Sequence, residues 1–113
     1  MSDSPTLGNG NFLYKVIENW EQIPDGYSWK ETAGVITDDH DNVYVFSRGN
    51  HPMMVFDKNG AFIKSWGEGI FSRPHGVSKG PDNTIYCTDD GDHSVRQCTL
   101  DGKILMTIGN PGN

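Results

Sequence analysis

At 113 residues, with 35% hydrophobic residues and 14 glycines, the chain has room for one turn-rich domain with a modest core. Its formal net charge of −6, nine Lys and Arg scattered among fifteen acids, and pI near 4.9 exclude a basic stripe, so neither nucleic acid nor an anionic membrane is expected as a partner. No apolar run approaches the roughly 20 residues of a membrane span, and MSDSPTLGNGN lacks the charged and apolar regions of a secretory signal; as written, the chain is expected in the cytoplasm.

In chain order, residues 1–11 read as a flexible leader. Residues 12–33 read as an extra outer strand, FLYKVIENW, and its connection. This strand is similar to AFIKSWG at 61–67. From there the chain repeats itself: residues 34–67 and 76–109 align without a gap at an offset of 42. The pairs Gly34/Gly76, Gly49/Gly91, Gly60/Gly102, Gly67/Gly109, Val35/Val77, Tyr44/Tyr86 and His51/His93 keep register. Unit 34–75 predicts strands over 35–37, 43–47, 53–57 and 62–66, separated by the turn signals DDHDN, RGNHP and DKNG. Unit 76–113 predicts strands over 77–79, 84–88, 94–99 and 104–108, separated by GPDN, DDGDH and LDG. No stretch carries a helical stripe. Four antiparallel strands in a unit of about 40–45 residues are the pattern of a β-propeller blade. The expected fold is therefore all-β, with two four-stranded blades and a ninth strand left over.

Val43, Val45, Val55, Phe56, Ile85 and Ile104 are core candidates, and Trp20, Trp29 and Trp66 are expected to pack between blades. A hairpin turning near Gly91 sets Cys87 opposite Arg96, so Cys87 and Cys98 are diagonal neighbours and are expected to stay reduced. The acidic turns 38–41 and 89–92 lack the spacing of an EF-hand loop and read as turns in which carboxylates bond nearby backbone. His51 and His93 recur in the same turn and read as structural, His40 as exposed, and Tyr44 and Tyr86 as packing residues. No phosphate loop, CxxC, HExxH or GxSxG element is present.

Two blades leave two broad flanks. Repeat stacks need about three units to stand alone, and propellers close rings of about 4–8 blades. Copies of the chain are thus the expected partner, and three copies would make a six-bladed ring.

The run VYVFSRGNHPMMVFDKNGAFIKSWGEGIFSRPHGVSKGPDNTIYCTD, and the chain from Tyr14 onward, resembles NHL-type six-bladed propellers. More narrowly, SRGNH followed by RPHGV is similar to the opening blades of peptidyl-α-hydroxyglycine α-amidating lyases. The resemblance implies a carbon–nitrogen lyase that splits a carbinolamide into a peptide amide and glyoxylate. It implies an active-site role for Arg48, matching the arginine of the family's RG-[DN]-H turn, and zinc binding by His75, matching a Pro-His element at an inner strand. The family has three such elements, two blades apart; here there is one, and the equivalent of His75 in the first unit is Ala33. A threefold ring would bring three copies of His75 to its axis. Three features depart from the family: no tyrosine stands near Gly91 or Asp92 to serve as base, Arg73 replaces a methionine, and Gly76 replaces a calcium-binding aspartate, which argues against calcium. The alternatives are a scaffold that binds a peptide or protein ligand without chemistry, and a fragment with no function of its own.

Overall fold

The structure, a computed structural model, describes residues 4–112, and among these it contains ten strands and no helix. Strands β1 (Thr6–Asn9) and β2 (Phe12–Lys15) form an antiparallel hairpin with Leu7 opposite Tyr14. Strands β3 (Thr32–Thr37), β4 (Val43–Ser47), β5 (Met53–Phe56) and β6 (Phe62–Trp66) form the first four-stranded sheet, in sequence order. Strands β7 (Pro74–Lys79), β8 (Thr84–Asp89), β9 (Ser94–Thr99) and β10 (Ile104–Gly109) form the second. Every pairing is antiparallel.

Burial alternates along β8 and β9, whereas β4 and β5 are buried almost throughout because both faces of the first sheet are covered. The internal repeat extends to irregularities: the register shift between Thr32 and Gly34 recurs between Pro74 and Gly76, 42 residues on. One expected strand differs. The strand read across residues 12–20 ends at Lys15 and pairs backwards with β1, a strand the sequence reading does not contain. The turn between them uses Gly10 at φ 58°, and Gly8, at φ 104°, lets the chain pass the Phe12 carbonyl, which a Cβ would meet at 1.9 Å.

The core lies between the two sheets. Tyr44, Phe46, Met53, Val55 and Trp66 of the first pack against Ile85, Cys87 and Cys98 of the second, with Phe71 closing the side. Burying each large side chain here contributes about 1.5–3 kcal/mol. Cys87 stands opposite Arg96 as expected, and both thiols are free and buried. Contact with Cys98, together with burial, pushes the Cys87 thiol well above the ordinary range. Ile104, expected in the core, is exposed.

The flanks differ from the expectation of two bare faces. Val45, Met54 and Phe56 on the far side of the first sheet are buried under Trp20, Ile23, Tyr27 and Trp29. The reason lies in the repeat. Trp20 Nε1 donates to the Lys58 carbonyl at 3.2 Å, and Trp66 Nε1 donates to the Leu100 carbonyl, 42 residues further on, at 3.1 Å. Each indole lies against a turn glycine of positive φ: a Cβ on Gly60 would meet Trp20 Cδ2 at 3.3 Å, and one on Gly102 would meet Trp66 Cδ2 at 2.6 Å. Residues 20–31 thus stand to the first sheet as residues 66–73 stand to the second. On the far side of the second sheet, the positions 42 residues after Phe46 and Val55 are Thr88 and Gln97. That face is half-polar.

The edge strands β3 and β7 approach closely at Gly34, where a Cβ would come within 2.9 Å of Val77 Cγ1 and 3.2 Å of its backbone nitrogen. A side chain there would push the sheets apart. This contact sets the ends of β4 and β7 side by side, and the candidate residues lie at those ends.

Candidate functional site

Arg48 directly follows β4, and His75 is the second residue of β7. The structure brings them together through the intervening proline: Arg48 Nε donates to the Pro74 carbonyl at 2.9 Å. The guanidinium is largely enclosed, with 21% of the side chain exposed, and its NH1 lies 3.5 Å from Glu31 Oε2. His75 is open, with 59% of its side chain exposed, and its Nε2 lies 3.9 Å from Asp90 Oδ2, beyond hydrogen-bond reach.

Asp90 and Arg73 complete the site. Arg73 NH1 pairs with Asp90 Oδ2 at 3.1 Å, while Asp90 Oδ1 is buried without a hydrogen-bond partner. These two residues are the repeat equivalents of Glu31 and Arg48, and the backbone bonds match: Arg48 N donates to the Glu31 carbonyl at 2.8 Å, and Asp90 N to the Arg73 carbonyl at 3.2 Å. The charges are exchanged. Where the first unit sets an arginine in the turn against a glutamate in the connection, the second sets an aspartate in the turn against an arginine in the connection.

Beneath this edge lies a network that sequence reasoning missed. Asp89 is buried, and its carboxylate accepts four backbone N–H groups: Ser72 at 2.6 Å, Arg73 at 2.9 Å, Gly91 at 2.9 Å and Asp92 at 3.2 Å. Arg96 NH1 lies 3.8 Å from Asp89 Oδ2, its NH2 bonds Asp92 Oδ2 at 2.8 Å, and its NH1 donates to Ser94 Oγ at 2.8 Å. The guanidinium also sits 5.6 Å from the centre of the Phe71 ring. Burial opposes ionisation of Asp92, but the bonds from Ser94 and Arg96 prevail and hold its carboxyl below the ordinary range. The signal in the sequence was Arg96 itself, at an inward position between Ser94 and Cys98.

The recurring histidines part company. His51 stacks on Tyr27 with ring centres 3.6 Å apart and bonds Glu68 Oε1 through Nδ1 at 2.8 Å, tying together the two connections that precede the sheets. His93 is exposed in the left-handed region, at φ 65°. His40 is exposed, and the Asp38 carboxylate accepts the backbone N–H groups of His40 and Asn42, as its turn reading requires. Tyr44 is buried in the core, consistent with a packing role.

Among the described residues, no group of three or more His, Cys, Asp or Glu side chains could hold a metal. What the described residues offer instead is a single open imidazole, His75, near the start of the edge strand β7. The Arg48 guanidinium beside it, with Nε on Pro74 and one terminal nitrogen facing Glu31, remains a cation suited to a carboxylate. No helix among the described residues is long and apolar enough to cross a membrane. No family model matches the chain, and no curated protein matches it.

Proposed function

We propose that the chain is a two-blade segment of an NHL-type β-propeller that joins copies of itself in a six-bladed ring, with one His75 per chain binding zinc at the axis and Arg48 holding a substrate or ligand carboxylate. The observation that carries this reading is the Arg48–Pro74 hydrogen bond, which holds the guanidinium next to an open histidine at the ends of β4 and β7. Zinc would supply a Lewis acid for a hydroxyl or carbonyl oxygen. The chain's own contribution is Arg48, fixed by Pro74 and Glu31, and the close contact of β3 and β7 at Gly34. No tyrosine stands near Gly91 or Asp92 to serve as the base of a lyase-type reaction, so a peptide-binding scaffold is the second reading; the charged edge of Arg48, Arg73 and Asp90 favours it.

Ring closure carries a structural condition. Trp20 already occupies the place at Gly60 that a neighbouring copy's Ile108, the repeat equivalent of Trp66, would take. Each copy must therefore release residues up to Trp20 from that flank as the neighbour docks. The test is metal content with mass in solution: about one zinc per three chains, lost in His75→Ala, is the expected result. A metal-free protein leaves the scaffold reading. Turnover of an α-hydroxyglycine peptide to its amide, abolished in Arg48→Ala, would establish the lyase reading, and its absence in a zinc-loaded trimer would remove it.

A further inference from the structure

We infer that Asp89, held by Arg96, is the positioning residue of this site: it fixes the Ser72–Arg73 backbone that leads into Pro74 and His75 to the turn that carries Asp90. The inference builds on the reading of His75 as a ligand, but its geometric content stands apart from any metal.

A buried carboxylate is costly unless it is paired and hydrogen-bonded, and Asp89 is both. Its acceptors reach in two directions. The N–H groups of Ser72 and Arg73 belong to the connection before β7, whereas those of Gly91 and Asp92 belong to the turn after β8. One side chain therefore sets the spacing between His75 and Asp90. Arg96 faces that carboxylate and helps keep it in place, since it is itself held by Asp92, Ser94 and the Phe71 ring.

The repeat shows that the fold does not require this pair. Counting back 42 residues, Asp89 corresponds to Ser47 and Arg96 to Met54, both fully buried in the first sheet. The first unit builds the same strand pairing and the same bulge with a hydroxyl and a thioether. The sheet that bears His75 has instead a buried ion pair beneath it. Outer-shell groups of this kind orient a ligand side chain without touching what it binds.

The test uses the internal template. The double variant Asp89→Ser with Arg96→Met installs the first unit's pair in the second, which should keep the full chain folded. Zinc alone is titrated into wild type, the double variant and a control, Ile85→Val, while NMR follows the ring signals of His75 and the amide exchange of Ser72 and Arg73. A fall in zinc affinity of about tenfold or more in the double variant, with displaced His75 ring signals and faster amide exchange, is the expected result. The Ile85→Val control should change none of these. A folded double variant with wild-type His75 signals, amide exchange and zinc affinity overturns the inference. If wild type binds no zinc, the metal reading fails, and the His75 signals and amide exchange alone decide the role of Asp89. Should the double variant not fold, the single substitution Arg96→Met is scored by the same signals.

Discussion

Tyr44 illustrates what burial does to one side chain. Its phenol is enclosed in the core, and burial, reinforced by the charges of Asp38 and Asp101, pushes its pKa up to about 12. The raised value means that the neutral form is favoured on folding, so this contribution is complete below about pH 10 and is lost as pH rises toward 12. Phenolate absorbance should therefore show one tyrosine titrating late, and a Tyr44→Phe variant should lack that late step; a late step retained in the variant would contradict the assignment. Carboxylates act in the opposite sense. For Asp38, Glu68 and Asp92, burial raises the pKa but hydrogen bonds outweigh it and the net shift is downward, with Asn42, His51 and Ser94 the leading partners. Their stabilisation is present above the ordinary carboxyl range and disappears as pH falls below that range through their lowered folded values. Acid unfolding should begin there, and Glu68→Gln should lose part of the slope. At this scale, the turn aspartates and the exposure of His40 were legible because they depend on neighbours in sequence. Asp89 was read as one more turn acid; its role depends on Arg96 and on Ser72 and Arg73, which only the folded sheet brings to it.

Among the elements, the tryptophan–glycine contacts are the most demanding. Gly102 sits at φ 95° with Trp66 Cδ2 only 2.6 Å from where a Cβ would stand, so Gly102→Ala incurs both backbone strain and a steric clash. Trp66→Ala removes a buried side chain from the core and should cost about 3–5 kcal/mol, measured by denaturant unfolding. Gly69→Ala is the matched control: φ is 77° and a Cβ would meet nothing within 4 Å, so only the backbone term remains. A Gly102→Ala variant no less stable than Gly69→Ala would contradict the proposed packing. The eight strands of the two sheets were readable because runs of β-branched and aromatic residues between turn residues are local signals. The ranges observed begin up to three residues earlier, at Thr32 and Pro74, because the register shifts that admit those residues leave no mark in hydrophobic pattern. Strand β1 escaped for a related reason: TLGN has little β-forming character, and its pairing follows from the glycines that turn the chain back.

For the whole molecule, the repeat predicted two similar sheets but not how each flank is finished. One is covered by Trp20, Ile23, Tyr27 and Trp29, and the other is half-polar, while Leu7, Phe12, Leu13, Tyr14, Val16 and Ile17 around the hairpin are exposed. Light scattering should give the mass of three chains if the ring forms, and Trp20 fluorescence should shift as the indole leaves Gly60. A single-chain mass at micromolar concentration would remove the shared axis. The exchanged charges at the sheet ends bear on another hazard, that of a duplicated chain threading one connection into the other unit's turn. Such a misthreaded product would set Arg73 against Arg48 and Glu31 against Asp90, two like-signed encounters in place of two attractive ones. The sign inversion between near-twin units thus acts as a lock-and-key code that rejects the wrong twin during folding.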